Sequence, residues 1–389
     1  GQYNTAMGLS VMYNNTTGIK NSAFGRSALS SNTTGCENTA SGFYALYSST
    51  TGLRNTASGY IALKNNTTGC NNTAIGRSAL ECNTSGKNNT AMGTWALYKT
   101  TTGQRNIAIG NSSLEKNTCG CWNVAIGSRS LYCNTTACGN TAVGGCALHT
   151  NSTGAQNTAS GYIALAKTTT GSYNTAHGRS SSYSNTTGQY NTMIGRDAGY
   201  YNTTGSCNSI LGAAALLCNT SGGFNVAIGR AALYSNTTAH YNTAVGACSL
   251  YANTTGANNT SVGYRSLVAN TCGHCNTAVG YESLQANTTG NYNTAVGRLA
   301  MYSNTTGAYN TAIGMHSLDA NTSGLANTAS GYGALGSSTS GHYNAAVGYL
   351  ALADNTTASH NTALANYALQ QNTTGAGNTA SGSNALRNN

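Results

Sequence analysis

The chain has 389 residues, no proline, 49 glycines, a net charge of +10 and only 6% charged residues. Ordinary globular proteins carry about 25% charged residues, and charged disordered chains carry many as well, so this composition excludes both classes.

A 17-residue repeat runs through the chain without an insertion or a deletion. Counted from Gln2, it occurs 22 times over 2–375 and leaves a 14-residue remainder, 376–389. Each turn of a wound chain must keep register with its neighbours, so the constant length predicts one solenoid turn per repeat. Short apolar pairs and frequent glycines favour strands over helices.

We therefore predict an all-β fold, an elongated parallel β-solenoid of about 23 turns. It would form one continuous domain over 1–389, and we expect it to be a segment of a longer chain. Turns stacked ~4.8 Å apart give a rod on the order of 110 Å long.

The places of the repeat are numbered 1 to 17, with Gln2 at place 1. Asn occupies place 3 in all turns, Gly occupies place 7 except at Ala365, and Gly is also the usual residue at place 17. Gly tolerates positive φ at a corner. Stacked Asn side chains can hydrogen-bond one another and the corner backbone from turn to turn. The pattern predicts two bends in each turn.

Apolar residues occupy places 5 and 6 (Ala295, Val296) and places 10 and 11 (Ala45, Leu46). These residues predict a narrow core. Neighbours on a strand face opposite sides, so one residue of each pair is expected to face outside unless a bend turns both inward. An outward apolar stripe would pack on another chain, as in a trimeric rod. The sequence leaves these two arrangements open.

The motif NTAxGxxAL with an NTTG corner, as at 293–307, resembles repeats of bacterial and phage tail-fibre-like proteins. It is more loosely similar to the head repeats of trimeric autotransporter adhesins, which form β-rolls. The resemblance implies an extracellular fibre or an adhesive shaft.

The NTTG corner begins at place 14, where sixteen of the 22 complete repeats have an N-glycosylation sequon. Place 14 also holds Ser49, Thr100, Thr168 and Ser338, and this variation predicts a side chain that points into solvent. We predict N-glycans along one edge, although NTTG is also good turn chemistry without sugar. The predicted acceptors are Asn15, Asn32, Asn66, Asn83, Asn134, Asn151, Asn185, Asn202, Asn219, Asn236, Asn253, Asn287, Asn304, Asn321, Asn355 and Asn372.

The thirteen cysteines favour an oxidising, extracellular location. All three cysteines at place 13 share a repeat with a cysteine at place 1 or 2, which predicts disulfides across the neck of the corner. Cys119, Cys121, Cys133 and Cys138 form a cluster whose connectivity stays open. The candidate disulfides are Cys70 with Cys82, Cys121 with Cys133, Cys207 with Cys218, and Cys272 with Cys275.

The remaining side chains predict neither catalysis nor cofactor binding. Seven acidic residues form no recurring pair, the histidines are scattered, and the cations form no dense patch. We therefore predict no enzyme, no metal or cofactor, no nucleic-acid partner and no membrane span. Tyrosines recur in consecutive turns, as at Tyr173 and Tyr190, and predict stacked ladders or a surface for carbohydrate.

These patterns together predict an extracellular structural filament with an N-glycosylated edge. The filament would form by end-to-end self-association. The first alternative is a homotrimeric tail-fibre or adhesin shaft. The second is an ice-binding β-solenoid with repeated Thr ranks. The adjacent Thr residues of NTTG disfavour the ice-binding alternative, since neighbours on an extended strand face opposite ways.

Overall fold

The computed structural model describes residues 1–389 in two compact segments, an N-terminal segment (Gly1–Asn191) and a C-terminal segment (Thr192–Asn389). Each repeat contributes one three-residue strand. The N-terminal segment contains β1 (Thr5–Met7), β2 (Ser22–Phe24), β3 (Thr39–Ser41), β4 (Thr56–Ser58), β5 (Thr73–Ile75), β6 (Thr90–Met92), β7 (Ile107–Ile109), β8 (Val124–Ile126), β9 (Thr141–Val143), β10 (Thr158–Ser160) and β11 (Thr175–His177).

The C-terminal segment has the same organisation. It contains β12 (Thr192–Ile194), β13 (Ser209–Leu211), β14 (Val226–Ile228), β15 (Thr243–Val245), β16 (Thr260–Val262), β17 (Thr277–Val279), β18 (Thr294–Val296), β19 (Thr311–Ile313), β20 (Thr328–Ser330), β21 (Ala345–Val347), β22 (Thr362–Leu364) and β23 (Thr379–Ser381). No helix is long and apolar enough to cross a membrane.

Within each segment, consecutive strands pair in parallel with a register shift of one repeat. In β18 and β19, for example, Thr294 pairs with Thr311 and Ala295 with Ala312. The predicted fold class, an all-β parallel solenoid of 17-residue turns, is confirmed.

Each strand ends at place 6, and the residue that follows it, at place 7, is glycine in every repeat except that of Ala365. Gly297 has φ of +138°, and a Cβ built there would lie 2.6 Å from the carbonyl oxygen of Gly314 in the next turn. A side chain at this place therefore meets both backbone strain and a close contact. This explains why place 7 is Gly in nearly every repeat.

Left-handed backbone conformations recur at places 2, 9 and 11, although most residues there are not glycine. Leu299 (φ 57°) and Met301 (φ 50°) flank Ala300 in one turn. Such conformations cost roughly 1–2 kcal/mol per residue. Hydrogen bonds to both neighbouring turns offset this cost: the Leu299 N–H donates to the Tyr281 carbonyl and the Met301 N–H to the Ser317 carbonyl, both at 3.0 Å.

The core consists of the side chains at places 5, 10 and 11. Ala295, Ala300 and Met301 are completely buried, and the same three places are buried in every repeat between the first and the last. The left-handed residues at places 9 and 11 turn both members of the second apolar pair inward. The first pair behaves differently, because Ala295 faces the core while Val296 is 36% exposed. The structure thus contains both arrangements that the sequence left open, one for each pair.

Candidate functional site

The place-14 asparagines lie inside the coil. Asn304 is completely buried, and its Nδ2 donates to the Oδ1 of Asn287 in the preceding turn (2.8 Å) and to the carbonyl of Gly307 (3.1 Å). Both Nδ2 hydrogens are therefore used. Its Oδ1 accepts from the Nδ2 of Asn321 in the next turn at 2.7 Å. These contacts define the place-14 ladder.

The prediction that the sequon asparagines face solvent is wrong. Asn15 is half-buried, and the others are no more than 1% exposed. A glycan on Nδ2 would replace a ladder hydrogen and occupy the interior, so the folded coil has no room for the predicted sugar edge. The buried sequon residues are Asn32, Asn66, Asn83, Asn134, Asn151, Asn185, Asn202, Asn219, Asn236, Asn253, Asn287, Asn304, Asn321, Asn355 and Asn372.

The residues that replace Asn at place 14 are also completely buried, and they mark breaks in the ladder. Each break leaves the Oδ1 of the preceding asparagine without a partner. At the third break, Thr168 follows Asn151, and neither the Thr168 Oγ1 nor the Asn151 Oδ1 is hydrogen-bonded. Variation at place 14 therefore reflects tolerated loss of hydrogen bonds. The four breaks are Ser49 after Asn32, Thr100 after Asn83, Thr168 after Asn151, and Ser338 after Asn321.

A second ladder is formed by the asparagines at place 3. The backbone N–H of Asn293 donates to the Asn276 Oδ1 (3.0 Å), and its Nδ2 donates to the Gly307 carbonyl (2.8 Å). The backbone N–H of Asn310 donates in turn to the Asn293 Oδ1 (3.1 Å). This place-3 ladder confirms the prediction that stacked asparagines bond one another and the corner backbone.

The threonines at place 15 add a third row of contacts at the same corner. The Thr305 Oγ1 donates to the Thr322 carbonyl of the next turn at 3.0 Å, and the same bond recurs along both segments. The hydroxyl hydrogen of place 15 is thus engaged within the protein. The place-16 residue that follows, such as Thr306, is exposed.

No disulfide is present, and all thirteen cysteines are thiols. None of the four predicted pairs is bonded, and the two members of the first pair have different surroundings. The Cys70 Sγ contacts the Thr68 carbonyl, whereas the Cys82 side chain lies near Glu81 and Lys99. Burial and the Glu81 charge raise the pKa of the Cys82 thiol. The remaining predicted partners, Cys121 with Cys133, Cys207 with Cys218, and Cys272 with Cys275, are equally unbonded.

One contact between two cysteines joins consecutive turns instead. The Cys121 backbone N–H points at the Cys138 Sγ at 3.1 Å, and both residues stand at place 1. The Cys121 Sγ lies against the Cys119 carbonyl at 3.2 Å. Of the predicted cluster, the structure therefore brings Cys119, Cys121 and Cys138 together and leaves Cys133 apart.

Aromatic residues at places 2, 8 and 12 stack between consecutive turns. Tyr173 stacks on Tyr190 with ring centroids 4.9 Å apart, and Tyr292 stacks on Tyr309 at 5.1 Å. The predicted tyrosine ladders are confirmed. These rings are about half exposed, so they form ridges on the surface of the coil.

An open groove lies between the side chains of places 9 and 12. In the N-terminal segment, one part of this groove is lined by Trp95, Tyr98, Ser112, Glu115, Arg129 and Tyr132. Aromatic faces beside a carboxylate and a guanidinium are suited to stacking on sugar rings. The groove supplies the surface that carbohydrate stacking requires, and that partner stays a prediction.

The outer side of the strands is a surface that the sequence analysis left open at place 6 and did not consider at place 4. Places 4 and 6 both point outward, because place 5 points into the core. In eight of the 23 strands they present Thr at place 4 and Val or Ile at place 6, and five of these strands, β15 to β19, are consecutive. The signal was the alternation within NTAV, where Thr and Val flank the buried Ala at a period of two.

No group of three His, Cys, Asp or Glu side chains is arranged to hold a metal ion. No protein-family model matches the chain, and no curated protein is significantly similar to it.

Proposed function

We propose that this chain is a structural element of an extracellular fibre or shaft, acting through stiffness and regular spacing. The supporting observation is that three rows of hydrogen bonds run along the NTTG corner of the coil, one of them with four breaks. In one turn, Gly307 accepts from Asn293 and Asn304, while Thr305 donates to the next turn. Such rows resist bending between turns, because bending opens several bonds at once.

The extracellular part of the proposal is supported by the repeat's resemblance to tail-fibre and adhesin proteins. The predicted glycans and disulfides no longer support an extracellular location, because the sequon asparagines are buried and the cysteines are unpaired. We therefore propose a fibre without a sugar sheath at the NTTG corner. Exposed tyrosines and seven cation–π contacts would then dominate its surface chemistry, among them Arg105 over Trp122 at 4.3 Å.

The test is small-angle X-ray scattering of the full chain, combined with chemical crosslinking. We expect the scattering of a rod whose cross-section matches one coil or a small bundle of coils. A compact or flexible particle would overturn the proposal. Crosslinking measures the number of chains in the assembly. Three trapped chains would indicate the homotrimeric shaft, and an open series would indicate end-to-end filaments. Single chains would show a shaft that acts alone.

A further inference from the structure

Strands β15–β19 present the most regular outward surface of the C-terminal segment. Every strand has Thr at place 4 and a β-branched apolar residue at place 6, and the residue between them is buried. We call this surface the Thr/Val array. Its members are Thr243, Val245, Thr260, Val262, Thr277, Val279, Thr294, Val296, Thr311 and Ile313.

The array is a two-dimensional lattice. Parallel pairing places Thr277 directly opposite Thr294, and Val279 opposite Val296. Neighbouring strands lie ~4.8 Å apart, and places 4 and 6 of one strand are separated by ~6.7 Å. These two repeats agree, to within roughly a tenth, with the spacings of oxygen atoms on a prism face of hexagonal ice.

The chemistry of the array also suits ordered water. The Thr hydroxyls of these strands make no hydrogen bond within the protein, unlike the place-15 hydroxyls, which donate to a carbonyl. No charged side chain stands in the array. Rows of hydroxyls that can bond water alternate with rows of methyl groups that cannot.

The backbone beneath the array is held in place by the place-3 ladder. Each Thr follows a ladder asparagine, and the Thr294 N–H donates to the Asn310 carbonyl at 2.8 Å. A surface that must match a crystal lattice needs this fixed spacing. Side chains on a mobile loop would lose more entropy on binding.

We propose that the Thr/Val array binds ice. The alternative occupant, a second copy of the chain, fits less well. Five rows cover at most a few hundred Å², and a stable protein interface buries about 800 Å² on each partner. Half of the outward side chains are threonines, whose hydroxyls a partner would have to satisfy. This inference is independent of the proposed fibre role.

The test measures capture of the full chain by slowly growing ice, and the gap between the freezing and melting temperatures of a seeded crystal. We expect ice to capture the wild type and to show such a gap. Thr277→Lys combined with Thr294→Lys should lose both effects, because two charged side chains rise above the lattice. Thr289→Lys with Thr306→Lys adds the same charge at exposed place-16 positions and should keep both.

A second double variant distinguishes loss of ice binding from misfolding of the lysine variant. Thr277→Tyr with Thr294→Tyr keeps residues that favour strands, and their rings break the flat lattice, so loss of ice capture is again expected. Far-UV circular dichroism checks each fold. Exclusion of the wild type from ice would overturn the proposal, and so would equal capture of all variants. An oligomer that only the array substitutions dissociate would assign the face to a second copy instead.

Discussion

The asparagine ladders at places 3 and 14 lie in the same turns and donate to the same carbonyl, yet only one is interrupted. Asn293 and Asn304 both reach the oxygen of Gly307. The difference lies in what each Oδ1 accepts. At place 3 it accepts the backbone N–H of the next turn, as Asn310 shows. At place 14 it accepts only a side-chain N–H, since the Asn304 backbone N–H bonds Met301 within its own turn.

This difference explains the pattern of substitution. Loss of an Asn at place 3 leaves a buried backbone donor without a partner, and such orphaned donors are rare in native proteins. Loss at place 14 leaves one amide oxygen of the preceding turn unpaired, as at Asn321 before Ser338. The comparison teaches that a variable place in a repeat can be completely buried, provided that its loss costs no backbone hydrogen bond.

The largest effect is expected for Asn293→Ala. It removes the acceptor of the Asn310 N–H and one donor to Gly307. Each buried group left unpaired costs about 1–3 kcal/mol, so we expect a loss of roughly 3 kcal/mol in the free energy of unfolding. Urea unfolding measures the loss, and hydrogen exchange should show the Asn310 amide deprotected. An Asn310 amide that stays protected would contradict the assigned role of place 3.

A smaller loss is expected for Asn304→Ala in the same turn. It removes two donated side-chain bonds and the acceptor of the Asn321 Nδ2, but no backbone donor loses its partner. We expect roughly 2 kcal/mol by urea unfolding, with the Asn321 amide still protected. Equal losses for the two alanine variants would break the comparison between the ladders.

Closing a break should stabilise the coil. Ser338→Asn supplies an Nδ2 for the unpaired Asn321 Oδ1 and for the corner carbonyl. One or two added hydrogen bonds predict a gain of about 1 kcal/mol, seen as a higher urea midpoint with an unchanged slope. Ser337→Asn, at the exposed neighbouring place, is the matched control and should leave the midpoint unchanged. A gain for both variants would point to a cause other than the ladder.

The smallest effect is expected from enzymatic removal of N-glycans at place 14. The ladder uses both Nδ2 hydrogens of Asn236 and Asn304, so neither residue should carry a glycan in folded protein from a glycosylating host. Peptide mapping of Asn236 and Asn304 provides the site-level check. A glycan on either residue in folded protein would be incompatible with the ladder.

The sequence alone predicts much of the fold. The constant repeat length predicts one solenoid turn per repeat, the glycine of place 7 predicts a bend, and the asparagine of place 3 predicts a hydrogen-bonded corner. The sequence does not predict which apolar residues face outward. That depends on positive φ at places 9 and 11, where residues such as Leu299 and Met301 carry no sign of a left-handed backbone. The tyrosine ladders were predictable because stacking needs only the same place in adjacent turns.

The burial of place 14 left a signal that was misread. Its substitutes, such as Thr100 and Ser338, are all small and able to hydrogen-bond. Solvent-facing places are less restricted, and place 2 holds Lys20, Glu37 and Trp122. The lack of any charged or large residue at place 14 over 22 repeats indicates a confined polar interior, and variation alone does not indicate exposure.

The ladders also bear on how such a protein can change in evolution. Deletion of the repeat that contains Asn293 would stack Asn276 directly on Asn310, and duplication of that repeat would add one more asparagine to the ladder. In both cases every donor of the ladder again meets an acceptor. Insertion of a single codon would put Asn opposite its neighbour and break the three rows of bonds at the corner. Recombination between copies can therefore lengthen or shorten the coil in steps of 17 residues. Natural variants should differ in whole turns rather than in loop length.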